Sequence, residues 1–232
     1  MNHCNLTLSH SNYYQTIVCN LEKMKKAIFL LIILASLTSC QSQTKKAQSN
    51  RHVGGPCEGC EAIFEYGDKK LTSSDTLPDF QQNEPKIKIE GTIYEKDGKT
   101  PAPNVILYMY HTNRKGIYEK KGDEKGWGKR HGFIRGWVKT DAHGKYSFYT
   151  FRPAAYPNGQ EPEHIHLTVK EPNTNEYYID DILFLDDPKV TDSEKQQLKN
   201  RAGSGLVKLA SKNGILTARR DIILGLNIPN YE

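Results

Sequence analysis

From Pro85 onward the chain is a succession of short strand-like runs separated by turn signals, and that spacing limits the fold more than any other feature. Ile87, Ile89 and Ile93 alternate with Lys88, Glu90 and Thr92, the period of two expected of a half-buried strand. Asp97-Gly98 marks a turn. Residues 104–111 (NVILYMYH) are apolar on both faces, as in a central strand. Trp137-Val138, residues 145–151 with Tyr146 and Phe148 on one face, residues 164–169, residues 177–185 and a closing run at 221–226 complete the series. The one strong helix signal is Thr191-Asp192-Ser193-Glu194, whose spacing is that of a capping box. The pattern predicts an all-β fold, an antiparallel β-sandwich with one short helix near the C-terminus. A chain of 232 residues is long enough to bury a core of that kind.

The N-terminus reads differently. Met24-Lys25-Lys26 precedes the apolar run 27–37 (AIFLLIILASL), the layout of a secretory signal. The run is too short to cross a bilayer, which takes roughly 20 apolar residues. Leu37-Thr38-Ser39-Cys40 follows and resembles the lipobox of bacterial lipoproteins. That resemblance implies lipidation at Cys40 and a membrane anchor on the extracytoplasmic side, facing the periplasm or the cell surface. Residues 1–39 are then upstream residues plus signal, with translation starting at Met24. Residues 40–84 form a polar tether and a Cys-x-x-Cys loop, and 85–232 form the sandwich domain. Charged residues make up 25% of the chain and the formal charge is +5. Lys23, Lys25 and Lys26 would leave with the signal, so the balance gives no reason to expect a nucleic-acid partner.

Cys57 and Cys60 bracket Glu58-Gly59 behind a Gly-Gly-Pro turn. Half of a zinc site, a redox motif and a local disulfide are the competing readings. No second cysteine pair stands nearby to close a zinc site, and no strand leads into the motif as in thioredoxin-like sites. An oxidising compartment favours the disulfide. Residues 113–135, rich in glycine, charge and aromatics (Tyr118, Trp127, Phe133), are too long for a hairpin turn and are expected to form an ordered functional loop.

The sharpest chemical signal is His164-Ile165-His166. Residues two apart on a strand share a face, so the two imidazoles form a ready pair of metal ligands. Tyr156 lies just upstream in a proline-bounded segment, and Tyr118 lies in NRKGIYEK. With GTIYEKDGKTPAPNVILYMYHTNRKGIYEK, GWVKTDAHGKYSFYTFRPAAYP and EPEHIHLTV, these residues resemble the intradiol ring-cleavage dioxygenases, the family of protocatechuate 3,4-dioxygenase and catechol 1,2-dioxygenase. The resemblance spans about residues 87–226.

It implies a non-haem Fe(III) held by Tyr118, Tyr156, His164 and His166, and a reaction in which O2 cleaves a catechol-type diol between its hydroxylated carbons to give a muconate-type diacid. The residue charges agree with this. A tyrosine of pKa about 10 binds as an anion at neutral pH only if a strong cation displaces its proton. Tyr156 is the ligand expected to give way to the diol and act as a base. One chain carries the whole ligand set, a fact compatible with either a monomer or a homo-oligomer.

Two departures stand out. Family members usually carry arginine in an Arg-Pro-x-His-Ile-His string, where this chain has Glu161, and the connection from Tyr156 to His164 is short. Arg152 and Arg135, with Arg130, are the candidates to supply the missing cation. A rival reading from another class compares residues 91–148 to the transthyretin-like, carboxypeptidase-regulatory modules of surface lipoproteins, β-sandwiches that bind without catalysing.

Overall fold

The computed structural model describes residues 52–159 and 161–231; Met24, Cys40, and the expected signal segment and tether up to residue 51 lie outside them. Two sheets form the fold. The strands are β1 (Ser74–Thr76), β2 (Lys86–Tyr94), β3 (Ile106–Tyr110), β4 (Arg135–Lys139), β5 (Lys145–Phe151), β6 (His164–Lys170), β7 (Glu176–Phe184), β8 (Leu206–Val207), β9 (Ala210–Lys212), β10 (Ile215–Arg219) and β11 (Ile222–Ile223). One sheet runs β1-β5-β2-β10-β9, with β11 also on β2; the other runs β4-β3-β6-β7-β8.

Ile87, Ile89, Ile93 and Phe148 of the first sheet and Leu107, Met109, Leu167 and Val169 of the second share one buried core. This is the sandwich that the alternating pattern predicts, because each sheet has a single apolar face to bury. Strand β3 is apolar on both faces for a reason the pattern alone does not give. Its outward residue Tyr108 joins Ala62, Ile63 and Trp137 in a second, smaller core, against which Tyr110 and Trp127 pack. The segment that carries Cys57 and Cys60 therefore lies on the outer face of the second sheet.

Four expectations change. The ladders are mainly antiparallel, but β1–β5, β2–β10, β2–β11 and β7–β8 pair in parallel. The closing strand shrinks to Ile222–Ile223, because the chain turns at Gly225, where φ is +75°. Strand β10, which pairs with β2 over Ile87 to Glu90, carries no clean alternation in ILTAR and was not anticipated. A further helix, α1 (Gly128–His131), interrupts the long loop. The predicted helix, α2 (Asp192–Gln197), is present, and the Thr191 hydroxyl accepts the Glu194 N–H at 3.3 Å.

Candidate metal centre

Strand β6 carries both histidines, and its register with β7 shifts between Ile165 and Leu167, so His166 sits on an irregular stretch of the ladder. Each ring is held by its Nδ1. That of His164 donates to the Pro162 carbonyl at 2.8 Å, and that of His166 to Asp181 Oδ1 at 3.1 Å. With both Nδ1 atoms so engaged, the lone pairs reside on the Nε2 atoms, the tautomer suited to a metal ligand. Burial lowers the His164 imidazole below its ordinary pKa. Burial acts the same way on His166, but the Asp181 carboxylate outweighs it and the net shift is upward.

Both Nε2 atoms face two phenols. Tyr118 Oη lies 2.5 Å from Tyr156 Oη and 2.7 Å from His166 Nε2. Tyr156 Oη lies 3.2 Å from His164 Nε2 and 3.4 Å from His166 Nε2. Such separations are those of neighbouring ligands about one ion whose bonds to nitrogen or oxygen run about 2 Å. Burial raises both phenol pKa values above the ordinary one, so both remain neutral at pH 7 unless a strong cation displaces their protons. Two hard oxygen donors and two imidazoles fit a ferric ion on that chemistry. Among the described residues, His164, His166 and Asp181 also form a cluster of potential ligands, but Asp181 bonds the far nitrogen of His166 and so stands behind the donor set.

The two tyrosines come from loops that meet because of a glycine. Gly116 has φ +74°, and a Cβ there would lie 2.0 Å from the Ala155 carbonyl oxygen. Only glycine allows that approach. Thr112 Oγ1 donates to the Ala154 carbonyl at 2.7 Å, and the Ala154 N–H donates to Asn113 at 3.2 Å, stitching the same two loops together.

A wall of rings extends from the donors. Tyr110 lies between His166, with centroids 4.6 Å apart, and His131, 3.8 Å away and nearly parallel at 7°. Trp127 continues the stack at 5.6 Å from His131, whose Nδ1 bonds the Tyr108 hydroxyl at 2.9 Å. Tyr110, His131 and Asp181 were not singled out in sequence; the alternation of Tyr108 and Tyr110 along NVILYMYH was the available signal for the first. These rings and both donor tyrosines line a cavity of about 660 Å³.

The disulfide loop forms part of its rim. Cys57 and Cys60 are joined, the Glu58 carboxylate pairs with Arg130 across the mouth, and Gly59 packs so closely on His131 that a Cβ would meet its Nε2 at 2.8 Å.

Two of the candidate cations stand elsewhere. Arg135 bonds Glu65 at 2.5 Å and faces a separate cavity. Arg152 pairs with Glu163 and, at 2.7 Å, with Asp186, its guanidinium over the Phe184 ring. Each guanidinium is paired with carboxylates, and neither lines the cavity beside the two tyrosines. Arg152 instead holds the residue next to His164. Of the three arginines, only Arg130 lines the cavity. Glu161 is exposed, and its charge raises the pKa of Tyr156, after the larger effect of burial.

A β-sandwich in which two tyrosine hydroxyls meet the Nε2 atoms of two histidines has the donor set of a metal-site protein, and comparison with known proteins gives the family. A family model described as dioxygenase matches residues 65–213. The chain belongs to that family, the intradiol dioxygenases. It is 29% identical over 109 residues to the protocatechuate 3,4-dioxygenase beta chain of Burkholderia cepacia, covering 44% of this chain and 46% of that one. To catechol 1,2-dioxygenase 1 of Acinetobacter lwoffii it is 30% identical over 161 residues, 59% of this chain and 48% of the relative. The chain thus spans about half the length of the curated relatives it matches.

Among solved structures, the dioxygenase domain of a dioxygenase carbohydrate-binding fusion from Streptomyces sp. SirexAA-E superposes with a TM-score of 0.51 at 19% identity, over 68% of this chain and 90% of that one. Catechol 1,2-dioxygenase of Acinetobacter radioresistens gives 0.52 at 15%, over 94% and 87%. These likenesses establish the shared sandwich fold. The non-catalytic transthyretin-like reading is not favoured.

Proposed function

We propose that the protein is a non-haem Fe(III)-dependent intradiol dioxygenase that cleaves a catechol-type aromatic diol between its hydroxylated carbons, both atoms of O2 entering a muconate-type diacid. One observation carries this reading: Tyr118 Oη, His164 Nε2 and His166 Nε2, from separate segments, all lie within 3.4 Å of Tyr156 Oη, and Tyr118 Oη lies 2.7 Å from His166 Nε2. A non-catalytic sandwich has no need of that convergence.

When bound, ferric iron supplies Lewis acidity toward both oxygens of a diol. The chain's own residues do the rest. Tyr156 Oη lies within 3.4 Å of each of the other three donor atoms, which suits it to yield its place and take up a diol proton. Tyr118 stays, backed by His166. Pro162 and Asp181 keep the imidazoles aimed at the site, and the Tyr110–His131 stack offers a flat wall to an aromatic ring.

The same proposal includes a lipid anchor at Cys40 and an extracytoplasmic location. The Cys57–Cys60 disulfide supports it, since such bonds persist in oxidising compartments.

The test is colour and oxygen. Iron-loaded protein should show a burgundy tyrosinate-to-iron band, lost in Tyr118→Phe and His166→Ala, and should consume oxygen with catechol, protocatechuate or hydroxyquinol. Protein that stays colourless after iron loading overturns the reading.

A further inference from the structure

We infer that the cavity is built for a diol ring carried on a larger acidic molecule, whose carboxylate lies on an arm beyond the ring and is met at the mouth by Lys120 and Lys129. The inference rests on the dioxygenase reading and names the substrate class of that site.

Size is the first argument. A cavity of about 150 Å³ suffices for a benzene ring, whereas this one measures about 660 Å³, within the roughly 300–1,000 Å³ that holds a drug-sized ligand. A lone catechol would fill only the end beside Tyr118 and Tyr156.

Charge is the second. Lys120, Lys129 and Arg130 line the cavity, and Glu58 is the one carboxylate among its lining residues. Glu58 is spent on Arg130. Among the described residues, no ion pair involves Lys120 or Lys129. The acids near them in sequence take their hydrogen bonds from other groups, and Glu124 feels Lys120 only as the smallest of the influences that lower its pKa. Glu119 accepts the Asn113 side-chain N–H at 2.7 Å, and Glu124 accepts the Gly122 N–H at 3.0 Å. Asp123 and Glu124 line the neighbouring cavity of Arg135. Asp181, at the donor end, bonds His166.

The order of the cavity is therefore donor atoms, then the ring wall of Tyr110, His131 and Trp127, then a cationic mouth. Ile117, 51% exposed at that mouth, adds apolar surface for the arm. A net positive mouth over a low-dielectric wall attracts anions and orients them carboxylate-outward.

The experiment compares dihydrocaffeic acid with its primary amide, which differ in charge and little in shape. In iron-loaded protein, kcat/KM for the acid should exceed that for the amide. Their ratio should fall about tenfold in Lys120→Glu/Lys129→Glu and toward unity in high salt. Equal handling of acid and amide, or a ratio unmoved by charge reversal, overturns the inference. Protocatechuate, with its carboxylate directly on the ring, should lose less than dihydrocaffeic acid on charge reversal; an equal loss refutes the arm.

Trp127 gives a second readout, fluorescence quenching on titrating the metal-free protein with acid or amide. If no diol, catechol included, supports oxygen uptake, the dioxygenase reading falls. Binding of the acid in preference to the amide, weakened by charge reversal, then still decides the inference on its own.

Discussion

Asp181→Asn separates what the carboxylate behind His166 does by charge from what it does by hydrogen bonding. The amide oxygen can still accept the His166 Nδ1–H now held by Asp181 Oδ1 at 3.1 Å, so the tautomer survives and only the charge is lost. Asp181→Leu removes the acceptor as well. The lost charge acts across the imidazole, because Asp181 bonds Nδ1 while Nε2 faces the donor set, so its pull on an ion is weaker than that of a direct pair. The Asp181 side chain is 37% exposed, so water screens much of that. The expected cost to iron affinity is about tenfold for Asn, or roughly 1.4 kcal/mol. For Leu it should approach the hundredfold upper end of outer-shell substitutions.

Competition with a chelator, followed by the tyrosinate-to-iron band, measures both affinities, while circular dichroism confirms that each variant is folded. If Asn and Leu both bind iron as tightly as the parent, the carboxylate neither orients nor tunes His166. If Asn costs as much as Leu, charge alone matters and the tautomer argument fails.

Three further outcomes are expected. His111 is buried, bonded to Thr150 Oγ1 at 2.6 Å, and burial lowers its pKa to about 4. The unfolded chain, with histidine near 6.5, binds that proton first. Stability is thus full above pH 6.5 and falls toward pH 4 by roughly 3 kcal/mol from this group; denaturant midpoints that stay flat over that range refute it, and His111→Gln should flatten part of the slope. Gly116→Ala should drive Cβ into the Ala155 carbonyl, part the two tyrosine loops and cost more iron affinity than global stability; unchanged iron retention would show that the close approach is dispensable. Replacing Cys57 and Cys60 by serine should lower stability by roughly 2 kcal/mol on the chain-entropy account, measured by thermal melting; an unchanged melt shows that the loop is held by its packing on His131 instead.

Much of the sandwich could be read from residues. Alternation at Ile87, Ile89 and Ile93, the turn at Asp97-Gly98 and the Thr191 cap are local signals, and short-range sterics and hydrogen bonding decide them. The short parallel partners could not be read, because strands such as Ile215–Arg219 take their place from the sheet they join and carry no periodicity of their own. In the site, the family resemblance singled out the two tyrosines and two histidines, since each sits in a local motif. Their convergence is tertiary. It depends on Gly116 against Ala155 and on the shifted register at His166.

The surroundings of the donors belong wholly to the tertiary structure. Arg152 and Arg135 looked like free cations along the chain, but each lies beside carboxylates distant in sequence, Asp186 and Glu65 among them. Asp181 reaches His166 from the next strand, and Glu58 reaches Arg130 from the far side of the mouth. Residue identity sets which chemistry is available locally. Which charges cancel, which rings stack and which carboxylate backs which imidazole depend on contacts between segments tens of residues apart, and only the folded packing decides those.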